Sequence, residues 1–109
     1  MSILKKTPLL LIFLCSFSFA QNISGEKVFR TYCWGCHHQT SVAFGPSFQE
    51  IADARTKGEI QGYIIAPKSL YEQFGHKRSV MPSFEGKLSQ DEINAISEFI
   101  YTYKSKKDK

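Results

Sequence analysis

The hexapeptide "CWGCHH", Cys33 to His38, constrains this chain more than any other stretch. Two thiols stand three positions apart and two imidazoles follow at once. On a helical turn that spacing points both thiols the same way, so the fold must present them together to something: each other, a metal ion or a cofactor. With 109 residues in all, the chain has room for one small domain around them.

Residues 1–20 do not read as part of that domain. Lys5 and Lys6 precede an apolar run, "LLLIFLCSFSF" from Leu9 to Phe19, and Ser18-Phe19-Ala20 offers the small residues that a signal peptidase reads. A secretory signal cleaved after Ala20 is expected, with the periplasm as destination. The run falls short of the ~20 apolar residues of a spanning helix, which disfavours the rival reading of a retained anchor. Cys15 would leave with the signal, because Leu14 before it is not the small residue of a lipoprotein site. One domain is then expected over residues 21–109, with no membrane span of its own. That length is marginal for a purely apolar core. Export places the remaining thiols, Cys33 and Cys36, in an oxidising compartment. A disulfide between them would close too small a loop to staple the fold, so the pair reads as chemistry before scaffold. Fourteen Lys and Arg against ten Asp and Glu give a mild basic excess, with no basic, aromatic-laced patch of the kind that binds nucleic acid.

The pattern along the chain is helical. Strand-like alternation is almost absent, and no repeat or linker appears. Ser24 is placed to cap a helix through "GEKVFRTY", with Val28, Phe29 and Tyr32 on one side. Ser47 with Glu50, Thr56 with Glu59, Ser69 with Glu72 and Ser89 with Glu92 are four capping-box pairs. They open "FQEIADAR", "KGEIQGYII", "LYEQF" and "QDEINAISEFIYTYK". Pro67 is expected to end the third helix and Gly75 the fourth. In the last helix Ile93, Ile96, Ile100 and Tyr103 recur at helical spacing, joined by Phe99. Two irregular stretches, "HQTSVAFGP" and "GHKRSVMPSFEGK", are long for so small a domain and need something to pack on.

Three chemistries compete for the cysteines. A thiol–disulfide centre calls for strands and a βαβ unit, which the pattern lacks. Zinc would take Cys33, Cys36 and a histidine, with His76 as a fourth ligand, but no second ligand pair of the usual spacing follows. Covalent haem fits the motif itself: Cys-x-x-Cys-His is the attachment signature of a c-type haem. The two thiols would form thioethers, and His37, next in the chain, would be the proximal iron ligand, with His38 turned to the rim. A haem also supplies the large apolar surface that a small domain with long loops needs. For the far side of the iron, the candidates are Met81 and His76. Met81 sits in "SVMPSF", where Pro82 stiffens the loop, and it is the favoured distal ligand. A His/Met iron suits electron transfer over oxygen chemistry.

With these residues in place, the chain resembles the class I cytochromes c, the small bacterial monohaem group, over nearly all of residues 21–109. "GEKVFRTYCWGCH" is similar to the family's first helix and haem box, with Gly25 and Phe29 where a small residue and an aromatic meet the last helix. "FGP" is similar to its post-haem loop, and "MPSF" with "LSQDEINAISEFI" to its ligand loop and final helix. The resemblance implies an all-α fold of short helices and loops wrapped around one covalently bound haem c. It implies a hydrogen bond from His37 to the Pro46 carbonyl, and a one-electron carrier that is not itself an enzyme. A narrower likeness, in "CHHQTSVAFGPSFQEIA" and "KRSVMPSF", is to the monohaem subunits of sulfite dehydrogenases. It implies a dehydrogenase subunit as electron donor, with an oxidase or another cytochrome as acceptor. The haem carboxylates would be exposed or met by Arg55, Lys68 or Arg78. The competing function is a gas-binding or peroxidase-type haem protein with an open iron, which Met81 argues against.

Overall fold

The computed structural model describes residues 23–106, and the expected signal with its cleavage point after Ala20 lies outside the described residues. Helix α1, Gly25–Val28, starts where the Ser24 hydroxyl accepts from the Lys27 N–H. It continues into a π-helical turn over Phe29–Cys33, closed by the Trp34 N–H on the Phe29 carbonyl at 2.8 Å. Helices α2, Phe48–Ala54, and α3, Lys57–Ile65, follow, then the short α4, Pro67–Leu70, and the long α5, Gln90–Tyr101. Among the described residues there is no strand, only an isolated bridge between Trp34 and His37.

The helix starts follow local chemistry. Thr56 and Ser89 each form a complete capping box, with Glu59 and Glu92. Ser47 accepts from the Glu50 N–H at the head of α2. The region after α3 differs from expectation. Ser69 opens no helix; α4 begins at Pro67, with Ala66 as its cap. A proline that cannot continue α3 is suited to the first turn of α4, because its fixed φ is helical and its missing N–H would have had no partner there. Ala66 at φ −133° makes the corner, and Gly75 at φ +83° ends the turns that follow.

Helix α5 packs against α1, α2 and α3. Its Ile93, Ile96 and Ile100 are buried with Val28, Phe29, Phe48, Ala52, Ile60 and Ile64. At the crossing of α1 and α5 the two backbones nearly touch. A Cβ on Gly25 would lie 2.6 Å from the Phe99 Cβ and would press into the Ala95 carbonyl. Three rings lock that crossing: Phe29 meets Phe48 at 5.0 Å and Phe99 at 5.6 Å, and Phe48 meets Phe99 at 6.2 Å. Such pairs are each worth about 0.5–1.5 kcal/mol beyond burial. The exposed Arg30–Glu26 pair, by contrast, contributes on the order of 0–1 kcal/mol. Aromatic packing, and not surface charge, holds α1 in place. Tyr32, expected on the apolar side of α1, is instead exposed, with its ring edge towards Phe84. The widened π turn rotates the residues after Phe29 away from the α-helical face.

Candidate functional site

The π turn delivers Cys33 to the edge of the core, and the chain then doubles back. The Cys33 carbonyl accepts from both the Cys36 and His37 N–H groups, at 3.3 and 3.1 Å. Gly35 makes this possible at φ +102°, a conformation that L side chains rarely adopt. Both cysteines are free thiols, Cys33 half-buried and Cys36 exposed. Burial pushes the Cys33 thiol up to about 11, and the charge of a neighbouring Cys36 thiolate adds to the shift.

His37 is held on several sides. Its Nδ1 lies 2.7 Å from the Pro46 carbonyl oxygen. A carbonyl only accepts, so Nδ1 carries a proton and donates it. The bond fixes the ring's orientation, and Nε2 is the nitrogen that would meet a metal. Gly45 sits against the ring: a Cβ there would fall 2.7 Å from Cε1. Phe48 stacks on the imidazole at 5.7 Å and 28°. The segment that makes these contacts is itself fixed, with Gly45 N–H on the Cys36 carbonyl at 2.6 Å. Phe48 and Gln49, at the start of α2, donate to the His38 and Gln39 carbonyls, each at 2.9 Å. N–H groups that a helix start leaves unpaired thus tie the loop down. His38 contributes its carbonyl to this tie and is half-buried.

Met81 is half-buried and packs against the core cluster. Its loop is anchored just beyond it. Phe84 donates to the Ile64 carbonyl at 3.0 Å, and the Ser83 hydroxyl donates to the Ile65 carbonyl, so the loop is pinned to the end of α3. His76 lies elsewhere, exposed, with its ring edge on Tyr63 at 5.7 Å. Arg55 is engaged with the Phe74 carbonyl and ring and with Glu59. Lys68, Lys77 and Arg78 are exposed.

The residues suit a covalently held haem. Two free thiols and an imidazole oriented through its Nδ1 adjoin one another in the chain. Among the described residues, the exposed large apolar side chains other than Tyr32, namely Trp34, Val42, Phe44 and Val80, fall in the attachment motif or the two irregular stretches. Ser79, close to Met81 in sequence, keeps a buried hydroxyl without a protein partner, which matches a mainly apolar group that also bears polar substituents. The rival chemistries fit less well. Thiol–disulfide folds need the strands that the described residues lack. Among the described residues, no group of three or more His, Cys, Asp or Glu side chains gathers as a metal cluster would, and His76 does not join the cysteines. Sequence reasoning missed Gly45 and Phe48 as parts of this site. The only available signal was the glycine before Pro46 in "FGP".

Residues 20–100 match the family model described as cytochrome C oxidase, cbb3-type, subunit III. The chain is 28% identical over 83 residues to cytochrome c6 of Petalonia fascia, covering 76% of this chain and 93% of that protein. It is 24% identical over 82 residues to cytochrome c6 of Nostoc sp. (strain PCC 7120), covering 74% of this chain and 69% of that protein. No solved structure matches.

Proposed function

The chain belongs to the class I monohaem cytochromes c, and from that membership we propose which residues carry its haem and where it works. Its cofactor is covalently bound haem c, and it is an electron-transfer protein rather than an enzyme. In this reading Cys33 and Cys36 carry the haem by thioethers, His37 is the proximal ligand and Met81 the distal one. The observation that carries the reading is the 2.7 Å contact of His37 Nδ1 with the Pro46 carbonyl, beside two free thiols. When bound, the haem supplies an iron that takes up and releases one electron. The chain's own residues do the rest. The Pro46 carbonyl holds the His37 ring by its Nδ1–H and so leaves Nε2 as the nitrogen for the iron. The anchored loop keeps Met81 at the core edge, and a thioether ligand raises the reduction potential relative to a second histidine.

The finer placement is also ours. The protein works in the periplasm after loss of residues 1–20. It takes electrons from a dehydrogenase subunit, of the sulfite dehydrogenase kind, and passes them to an oxidase or another cytochrome. The likeness of "KRSVMPSF" to such subunits supports that donor. Among the described residues no helix is long and apolar enough to cross a membrane. Lys77 and Arg78, exposed ahead of Met81, offer positive charge to an acidic partner.

Met81→Ala tests the reading against an open-iron, ligand-binding one. The variant is expected to turn from low-spin to high-spin and to drop in reduction potential. A variant that keeps the wild-type spectrum and potential would remove Met81 from the iron.

A further inference from the structure

We infer that Phe48 is a positioning residue for the His37 imidazole: it fixes the azimuth of the ring plane, which the bond to Pro46 leaves free. This rests on the proposal that His37 ligates the haem iron. A single hydrogen bond at Nδ1 sets the direction of one ring edge. It resists rotation of the plane about the Nδ1···O axis only weakly, because carbonyl acceptors tolerate a broad range of approach. Resistance to that rotation must come from a contact on the ring's face, and Phe48 supplies it, stacked at 5.7 Å and 28°.

Phe48 can act as a stop because its own ring is closely packed. It is 2% exposed and wedged by edge contacts against Phe29 and Phe99, the two rings that lock α1 to α5. Its backbone N–H is tied to the His38 carbonyl at 2.9 Å, so the ring and the loop beside His37 move as one piece. Interiors are close-packed and transmit displacement, and exchanging this ring for an aliphatic chain removes the flat face while keeping most of the volume. Pro46 and Phe48 thus grip one imidazole by edge and by face from within a single short span. The packing of α1 on α5 is passed to the iron ligand through a single side chain.

The test compares Phe48→Leu with Phe29→Leu in the haem-loaded protein. Phe29 belongs to the same ring cluster, so both variants lose core packing, but among the described residues its ring partners are Phe48 and Phe99 and not His37. The readout is the pattern of haem-methyl proton resonances and the electron paramagnetic g-anisotropy of the oxidised protein, which follow axial-ligand plane orientation. Phe48→Leu is expected to shift both beyond anything seen in Phe29→Leu. Phe48→Met, which fills irregular space more readily, replaces it if the leucine variant does not fold. Spectra unchanged in the Phe48 variants, or shifted equally in both positions, would overturn the inference. A low-spin spectrum that survives His37→Ala would overturn the proximal-ligand reading and this inference with it. Silent Phe48 variants in a protein that needs His37 would overturn the inference alone.

Discussion

Cys33 and Cys36 belong to one motif but sit in unlike surroundings. Cys36 is exposed, whereas Cys33 is half-buried at the end of the π turn with its thiol raised to about 11. The sign of that shift fixes a pH window. The folded chain keeps the Cys33 proton where the unfolded chain, near 9.0, has released it. Its contribution to the haem-free fold is therefore complete below about pH 9 and is lost as pH climbs through about 11. Thiolates, not thiols, react with alkylating agents. In haem-free protein, iodoacetamide should label Cys36 first and Cys33 only as the pH approaches that upper value. Peptide mass spectrometry checks this, and equal labelling at mildly alkaline pH would contradict it. The proposed haem-bearing residues declared themselves in the sequence because thiol, imidazole and thioether side chains are few and chemically distinct. Gly45 and Phe48 did not, because a glycine and a phenylalanine matter here only through their contact with the His37 ring, which the fold creates.

Helix α1 and its π turn do two jobs at once: they meet α5 through a backbone approach, and they swing Cys33 to the site. The approach depends on Gly25, where any Cβ would collide with Phe99 and the Ala95 backbone. Gly25→Ala should destabilise the haem-loaded protein by roughly 1–3 kcal/mol, the usual cost of overpacking, even though alanine is the better helix former. Denaturant unfolding with an unchanged slope checks this. Equal or greater stability would mean that the helices can part freely. Helix starts were largely legible beforehand, since Ser24, Ser47, Thr56 and Ser89 act on their own next turn. Pro67 ends α3 as expected; what was misread is the next helix start, because the same proline that ends α3 begins α4 across the corner at Ala66, ahead of the Ser69–Glu72 pair. The π turn over Phe29–Cys33 was not anticipated, since the helical spacing of Val28, Phe29 and Tyr32 reads as a plain α-helix.

Over its described residues the molecule is a set of short helices gathered on α5, with two irregular stretches that carry most of the exposed large apolar side chains there. A domain this small needs more than its own side chains to be stable, and covalent haem c supplies a large apolar group. The same group explains the chemistry, so fold and function share one cause. That identity was readable from "CWGCHH" because a c-type haem demands a fixed spacing. The partner proteins were not readable, because surface charges such as Lys77 and Arg78 suit many acidic faces. The most direct test is the visible spectrum of protein made with a haem-attachment system, oxidised and reduced, before and after acid–acetone extraction. The account predicts haem that resists extraction, sharp low-spin reduced bands and the weak red band of a ferric iron bound by methionine. Colourless protein, or haem that extracts freely, would contradict it.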